Sequence, residues 1–434
     1  MSHTDSPEST ARPASLVRAL TRWDLTALAL NGIIGSGIFG LSATAAKMLG
    51  MASPLAFLLC AAIVYVFVLC FAEVAGYFTE TGGPYIYGRT IFGSFIGFEV
   101  GWSVWLARVS AFATNSSIFV SYLAFFVPQV ASGAARTAVL ILVPALLSYI
   151  NIRGVRGGAK FGGIFAAAKV TALVLFAAVG LTFVDPARFS SMSAPADANW
   201  GVAILALIYT FTGFEYAVIP AAEAKDPRRD LGWALIVALG LCTVIYLAVQ
   251  VVALGTLPLP ELAMSTRPLA DAGRSFLGPV AGGAMSLLAC VSIVGNLSAL
   301  VLVSPRLTLA FAEKRDFPAF FGRLHPRYGT PVVSILFFTI IGSALAIYGS
   351  FQWLVIVSVL ARLGNYVVTC IAVPIMRQRS PEPSRFRIPG GNFVGYLGVG
   401  LCIWLFFQAP NDSKAAFLGA SVVGALLYLA RPKK

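Results

Sequence analysis

Long apolar stretches recur along nearly the whole chain. A helix needs about 20 mostly apolar residues to cross the hydrocarbon core of a bilayer. These stretches lack the alternation of apolar and polar residues that is typical of barrel strands. The pattern predicts an all-α membrane protein with 12 transmembrane helices, at about residues 24–48, 54–78, 92–128, 137–150, 161–184, 200–222, 231–255, 277–310, 331–348, 352–376, 393–408 and 416–430.

The first stretch is interrupted by a polar, glycine-rich segment, NGIIGSGIF, at residues 31–39. A glycine inside a helix costs about 1 kcal/mol relative to alanine. One explanation is close helix packing through small residues. The other is an unwound segment whose free backbone groups line a cavity.

The sixth stretch has a similar interruption, YTFTGFE, at residues 209–215. The two interrupted stretches lie five helices apart, and because five is odd, the two sets of five helices have opposite orientations in the membrane. Such an inverted repeat is typical of transporters whose broken helices form a site near the bilayer midplane. The pair therefore favours unwound segments in both helices.

The two breaks suggest how a solute binds. The helix that resumes at Ser36 directs the N–H groups of Ser36 and Gly37 toward a carboxylate. Unwound carbonyls near Ile33, and at Phe211 and Thr212, accept hydrogen bonds from an ammonium group. A zwitterionic amino acid has both groups.

Glycine and aromatic residues complete this predicted site. Gly35 and Gly213 permit the two breaks. The side chains of Tyr209, Phe211 and Phe214 either close over the solute or pack in the ordinary way, and the sequence leaves both alternatives open.

The composition agrees with a lipid environment, since 58% of the 434 residues are apolar and only 11% are charged. The net charge of +13 would suggest nucleic acid in a soluble protein. With the N-terminus inside, however, most basic residues fall on the inner side of the predicted helices. The positive-inside rule thus supports twelve spans and two cytoplasmic termini, and we expect no nucleic-acid partner.

Cysteine and histidine provide little support for catalysis. The six cysteines lie singly inside apolar stretches, and the two histidines, His3 and His325, lie in a polar tail and a loop. We therefore expect no metal site, no cofactor and no enzyme activity.

Four segments together carry a resemblance to a known family: GSGIF (35–39), EVAGYFTETGGPYIY (73–87), FTGFE (211–215) and EAKDPRR (223–229). They resemble amino acid permeases of the amino acid, polyamine and organocation superfamily. The resemblance implies the LeuT-type fold, a 5+5 inverted repeat with discontinuous helices 1 and 6. It places a cytoplasmic tail at 1–23, the two repeats at 24–190 and 191–380, and two further helices with a short cytoplasmic end at 381–434.

The resemblance also implies where the substrate and the coupling group lie. The substrate carboxylate is expected on the amides of Ser36 and Gly37, and its amine on carbonyls near Ile33 and Thr212. In sodium-independent members a lysine of the fifth span stands where sodium would sit, and this position corresponds to Lys169, with Ser292 as an eighth-span neighbour. A charge buried at mid-span costs several kcal/mol, so Lys169 either couples transport to protons or acts as a structural tether.

Two arginines and a glutamate also lie within predicted spans. Arg108 either recognises a second carboxylate on the substrate or forms an internal ion pair with Glu215, Glu73 or Glu99. We expect Arg362 to satisfy backbone groups or a carboxylate within the tenth span. Glu215 either titrates during transport or neutralises an arginine, and Glu73 is expected to be structural.

These features predict a sodium-independent, proton-coupled amino acid permease with alternating access between helices 1 and 6. We expect it in the cell membrane, namely a bacterial inner membrane, with an amino acid, protons and the bilayer as partners and no obligatory protein partner. The alternatives are an exchanger of the same fold, since exchangers also keep the lysine, and a transporter-like nutrient sensor.

Overall fold

Helices form almost all the regular structure of the computed structural model, which describes residues 20–78, 83–153, 158–219, 224, 226–380, 384 and 386–431. Most of the predicted tail, at 1–19, and Glu223 and Lys225 of the segment at 223–229 lie outside these residues. The helices are α1 (Arg22–Ile33), α2 (Ser36–Leu49), α3 (Ser53–Ala75), α4 (Pro84–Phe92), α5 (Ser94–Leu123), α6 (Gly133–Ile152), α7 (Gly158–Leu181), α8 (Trp200–Phe211), α9 (Glu215–Val218), α10 (Pro227–Thr256), α11 (Leu259–Met264), α12 (Pro268–Val303), α13 (Pro305–Glu313), α14 (Val332–Tyr348), α15 (Phe351–Arg379), α16 (Asn392–Gln408) and α17 (Asn411–Leu429).

Both predicted interruptions are present, which confirms the two breaks. Helix α1 ends at Ile33, and α2 begins two residues later, at Ser36. Helix α8 ends at Phe211, and the short helix α9 begins at Glu215. Between these two helices Gly213 has a φ of 106°, a conformation that side chains other than glycine rarely adopt.

The two breaks touch each other through glycine backbones. A Cβ atom on Gly32 would collide with the carbonyl oxygen of Gly213, and a Cβ atom on Gly213 would collide with the carbonyl oxygen of Gly32. Nearby, a Cβ atom on Gly37 would lie 2.8 Å from the Cα atom of Thr210. Close packing of small residues and unwinding therefore occur together in this segment.

Helix α5 forms the centre of the fold. It packs against α4, α12, α14 and α15, and most of its side chains between Gly97 and Tyr122 are buried. Helices α6 and α17 lie at the periphery and expose large apolar side chains, such as Leu142 at 65% and Val422 at 58%. An apolar periphery of this kind is suited to contact with lipid tails.

Six helical segments of the described structure are long and apolar enough to cross a membrane, and four shorter apolar helices accompany them. One of the six, Ser36–Ala75, combines parts of two predicted spans. Each predicted stretch overlaps helix, but the count of twelve spans stays a prediction. Within α12 the backbone is non-helical at Gly278, with a φ of 75°, so the part after this kink matches the start of the eighth predicted stretch, and the residues from Pro268 precede it.

Ion pairs connect segments that are distant in sequence. Glu73 is fully buried and accepts hydrogen bonds from Arg377, with Nε at 2.5 Å and Nη2 at 2.7 Å, and from the N–H of Ile388 at 2.8 Å. This arrangement confirms the expected structural role of Glu73. The buried carboxylate of Asp316 pairs with Arg89 at 2.7 Å and with Arg431 at 2.8 Å.

All six cysteines are buried and none forms a disulfide. Each lies among apolar side chains of the helices, as their positions in apolar stretches predict. They therefore contribute to packing as small apolar residues.

We expect Gly213→Ala to reduce the free energy of unfolding by about 1–3 kcal/mol, because alanine is strained at this φ, and further through the collision with Gly32. Thermal unfolding of the detergent-solubilised protein measures the change. Gly400→Ala is the matched control, since a Cβ atom there meets open space and alanine favours the helix. Equal melting temperatures for Gly213→Ala and the unchanged protein would show that stability does not require the close contact between Gly213 and Gly32.

Candidate functional site

A small cavity of about 20 Å³ lies between the two breaks. Seven of the predicted substrate-binding residues line it: Ile33, Gly35, Ser36, Gly37, Tyr209, Thr212 and Gly213. The volume is close to that needed for one water molecule. The breaks must therefore separate before this space can hold an amino acid.

The N-terminus of α2 forms one wall of the small cavity. Gly35 provides no side chain to cap the first turn, so the N–H groups of Ser36 and Gly37 have no partner within the helix. The hydroxyl of Ser36 lies 3.3 Å from the hydroxyl of Tyr209, which also accepts a hydrogen bond from Asn115 at 3.4 Å. Hydrogen-bond donors thus converge at the positive end of the helix dipole.

Some carbonyls at the breaks already have donors. The carbonyl of Ile33 accepts from the hydroxyl of Tyr246 at 3.1 Å and from the N–H of Gly35 at 2.8 Å. The hydroxyl of Thr212 donates to the carbonyl of Tyr209 at 2.9 Å. An ammonium group at Ile33 would therefore share that oxygen with Tyr246.

Phe211 and Phe214 belong to the packed interior. Phe211 is fully buried against Tyr246, and Phe214 is fully buried against Phe71 and Tyr366. Neither ring is part of the lining of the small cavity. Of the two alternatives for these rings, the structure favours packing, because each ring faces neighbouring helices rather than the break.

Lys169 connects the first break to α7 and α12. It is 4% exposed, and its ammonium donates to Asn31 at 3.0 Å, to the carbonyl of Ile34 at 3.2 Å and to Asn296 at 3.4 Å. All three acceptors are neutral oxygens. The ammonium of Lys169 is therefore the charged group of this cluster, and the carbonyl of Ile34 in the first break is one of its three acceptors.

Ser292 lies beside Lys169 in a small apolar pocket, but its hydroxyl has no hydrogen-bond partner within the described residues. The polar contact from α12 comes instead from Asn296, one helical turn further on. Sequence reasoning missed Asn296 and Asn31. Asn296 could have been found from its spacing, four residues after Ser292 and on the same helix face. Asn31 could have been found from its position at the start of the interrupted segment.

A larger cavity of about 360 Å³ adjoins the small one. Arg362 and Tyr216 line both cavities, so these two side chains lie at the boundary between them. The larger cavity also contains Arg108, and its outer lining includes the exposed residues Arg306 and Lys314. Sequence reasoning missed Tyr216, which directly follows the second break.

Glu215 accepts a hydrogen bond from the second break and forms an ion pair with an arginine. Its Oε2 atom accepts from the N–H of Gly213 at 2.7 Å, and its Oε1 atom accepts from the hydroxyl of Tyr366 at 2.5 Å and lies 3.7 Å from Nε of Arg362. Arg362 also donates to the carbonyl and hydroxyl of Ser358, at 3.2 and 2.5 Å. The expectation that Arg362 satisfies a backbone group of the tenth span is confirmed at Ser358, whereas its carboxylate partner, Glu215, comes from the sixth span.

Arg108 has no ion pair within the described structure. Its guanidinium lies over the ring of Tyr216, 5.5 Å from the centroid, and the residue is 4% exposed. The internal ion pair, one of the two alternatives for Arg108, is not formed within the described residues, where Glu215 pairs with Arg362 and Glu73 with Arg377.

Beyond its first turn, α2 packs closely against α5 and α15. The hydroxyl of Tyr122 donates to the carbonyl of Phe39 at 2.8 Å. A Cβ atom on Gly40 would meet Ile118 at 2.6 Å and Phe351 at 2.7 Å. This part of α2 therefore leaves little space for a solute.

Comparison with known proteins shows the family of this chain. The sequence profile of a family described as amino acid permease matches residues 20–428. The chain is 28% identical to the methylthioribose transporter of Bacillus subtilis (strain 168), over 98% of this chain and 95% of that protein. It is 27% identical to the branched-chain amino acid permease BcaP of the same organism, with the same coverage.

A third relative from Bacillus subtilis (strain 168), a putative arginine/ornithine antiporter, is 27% identical over 94% of this chain and 95% of the relative. The family and these relatives are transporters rather than enzymes. The apolar helices indicate a multi-pass membrane protein. The chain therefore belongs to the amino acid permease family, within the amino acid, polyamine and organocation superfamily.

Proposed function

We propose that this protein is a sodium-independent, proton-coupled amino acid transporter that works by alternating access around the two helix breaks. The observation that carries the proposal is the meeting of both breaks at one cavity, beside the uncapped N-terminus of α2. The proposed architecture is the LeuT-type inverted repeat, with twelve spans and repeats at 24–190 and 191–380. The segments at 1–23 and 381–434 are the flanking tail and the two added helices.

The chemistry of the breaks suits a zwitterion. The amides of Ser36 and Gly37 bind the carboxylate, and the carbonyls near Ile33 and Thr212 bind the amine. Tyr209 is placed to contact the bound solute, since its hydroxyl is next to Ser36. The separation of the breaks that admits the solute also requires Gly32 and Gly213 to lose contact, which connects binding to a conformational change.

The distribution of basic residues supports an orientation. Arg306 and Lys314 line the outer part of the larger cavity, on the side where most basic residues lie. The positive-inside rule places this side, and both termini, in the cytoplasm. In this orientation the larger cavity faces the cytoplasm of a bacterial cell.

Lys169 is the proposed coupling group. Its ammonium is bonded to three neutral oxygens from α1, the first break and α12. A neutral amine binds these oxygens more weakly, because a hydrogen bond from a charged donor is roughly twice as strong as a neutral one. Loss of the proton therefore loosens the first break from α7 and α12.

Exchange is the second candidate. A relative that is 27% identical is described as a putative arginine/ornithine antiporter. Lys169 is compatible with either mode, because its protonation can accompany each half of an exchange cycle. Measurements of uptake and of exchange in the same liposomes distinguish the two.

We expect the purified protein in liposomes to accumulate a radiolabelled amino acid when an inward proton gradient is applied. Sodium replacement by choline should leave the uptake unchanged. Liposomes preloaded with unlabelled amino acid test exchange in parallel. Absence of both uptake and exchange for all common amino acids and polyamines would reject the transporter proposal.

We expect Lys169→Ala to decrease proton-driven uptake by about tenfold or more, which corresponds to the loss of a charge-assisted hydrogen-bond network of 1.5–3 kcal/mol. The initial uptake rate with and without the proton gradient measures this effect. Lys47→Ala is the control, since Lys47 is exposed at the end of α2. If Lys169→Ala retained the full stimulation by protons, Lys169 would have no part in coupling.

We expect Glu215→Gln to destabilise the protein by about 3–5 kcal/mol, as is typical when one partner of a buried ion pair is removed. The side-chain amide of glutamine can still accept a hydrogen bond from the N–H of Gly213. The loss of stability therefore measures the negative charge that faces Arg362. Thermal unfolding measures the change. Glu99→Gln is the control, because Glu99 forms no ion pair within the described structure, and an equal effect of both changes would argue against the counter-ion role.

A further inference from the structure

The larger cavity has a positively charged inner end that a neutral amino acid would leave uncompensated. We propose that the transported solute is an acidic amino acid whose side-chain carboxylate binds Arg108. This inference rests on the proposed function and specifies its substrate class.

Arg108 is a buried cation that forms no ion pair with a carboxylate of the described residues. Its side chain lines the cavity and is 4% exposed, and its guanidinium carbon lies 5.5 Å from the centre of the Tyr216 ring. An isolated charge in an apolar interior is strongly unfavourable unless it is paired. Arg108 is therefore arranged to receive an anion from the cavity.

The carboxylate of Glu215 is not available as a counter-ion for Arg108. Both oxygens of Glu215 have partners on the second break and α15, namely Gly213, Tyr366 and Arg362. The inner end thus combines two guanidinium groups with one carboxylate that is already engaged. A solute with an extra negative charge balances this excess, whereas a cationic solute increases it.

The spacing along α5 connects Arg108 to the zwitterion site. Ala111 lines the small cavity, and Ala107 and Arg108 line the larger one. Arg108 and Ala111 are three residues apart, which is about 4.5 Å of helix rise. One small molecule can therefore place its α-carboxylate at the N-terminus of α2 and its side-chain carboxylate at Arg108.

The chemistry of the guanidinium favours a carboxylate. A planar guanidinium binds a carboxylate through two parallel hydrogen bonds, which a lysine ammonium cannot reproduce. Arg108 is thereby a specificity residue rather than a part of the common zwitterion site.

The first experiment uses the unchanged protein in liposomes under an inward proton gradient. Uptake of radiolabelled aspartate, glutamate, leucine, serine, arginine and ornithine is measured, together with competition by the unlabelled compounds. We expect aspartate or glutamate to be taken up with the lowest KM and to be displaced poorly by the cationic amino acids.

The second experiment compares Arg108→Gln, Arg108→Lys and the control Arg323→Gln, which removes an exposed charge outside the cavity lining. We expect Arg108→Gln to raise the KM for the acidic substrate by about tenfold or more, and Arg108→Lys to recover only part of the loss. Arg323→Gln should change the KM by less than about twofold. Uptake of neutral amino acids should improve relative to acidic ones in Arg108→Gln.

The outcomes separate this inference from the proposed function. Transport of neutral or cationic amino acids by the unchanged protein, without competition from aspartate or glutamate, overturns the inference and leaves the transporter proposal in place. An acidic KM within twofold of the unchanged value in a folded Arg108→Gln protein also overturns it. The absence of uptake and exchange for every amino acid overturns both.

Discussion

A helix that ends inside an apolar interior leaves N–H and C=O groups without partners, and each unpaired group costs several kcal/mol. The two breaks of this protein depend on side chains that supply those partners. Tyr246 donates to the carbonyl of Ile33, Lys169 to that of Ile34, and Glu215 accepts from the N–H of Gly213. The side chains that satisfy the breaks thus include Lys169, the proposed coupling group.

Glu215 connects the hydrogen bonds at the second break to the rest of the fold. The same carboxylate holds the second break and contacts Tyr366 and Arg362 on α15. A movement of the break relative to α15 must therefore separate a buried ion pair or carry it along. Lys169 has the corresponding position at the first break, where it joins α7 and α12 to the unwound backbone.

The features that sequence predicts well here are local ones. Glycines and polar residues within an apolar stretch indicate a break wherever it occurs, and the structure has both breaks. The partners of the buried charges depend on how helices rotate against each other, which local pattern does not determine. For this reason Glu215 faces Arg362 rather than Arg108, and Asn296 rather than Ser292 contacts Lys169. The direction of the Phe211 ring depends on the same rotations.

The burial of all six cysteines has a practical consequence for spectroscopy. Thiol-reactive probes attack exposed thiolates in preference to thiols buried among apolar side chains. A single cysteine introduced at an exposed position, such as Lys314 at the outer edge of the larger cavity, can therefore carry a fluorophore or spin label in the otherwise natural sequence. Distances between two such labels would follow the opening and closing of each side during turnover.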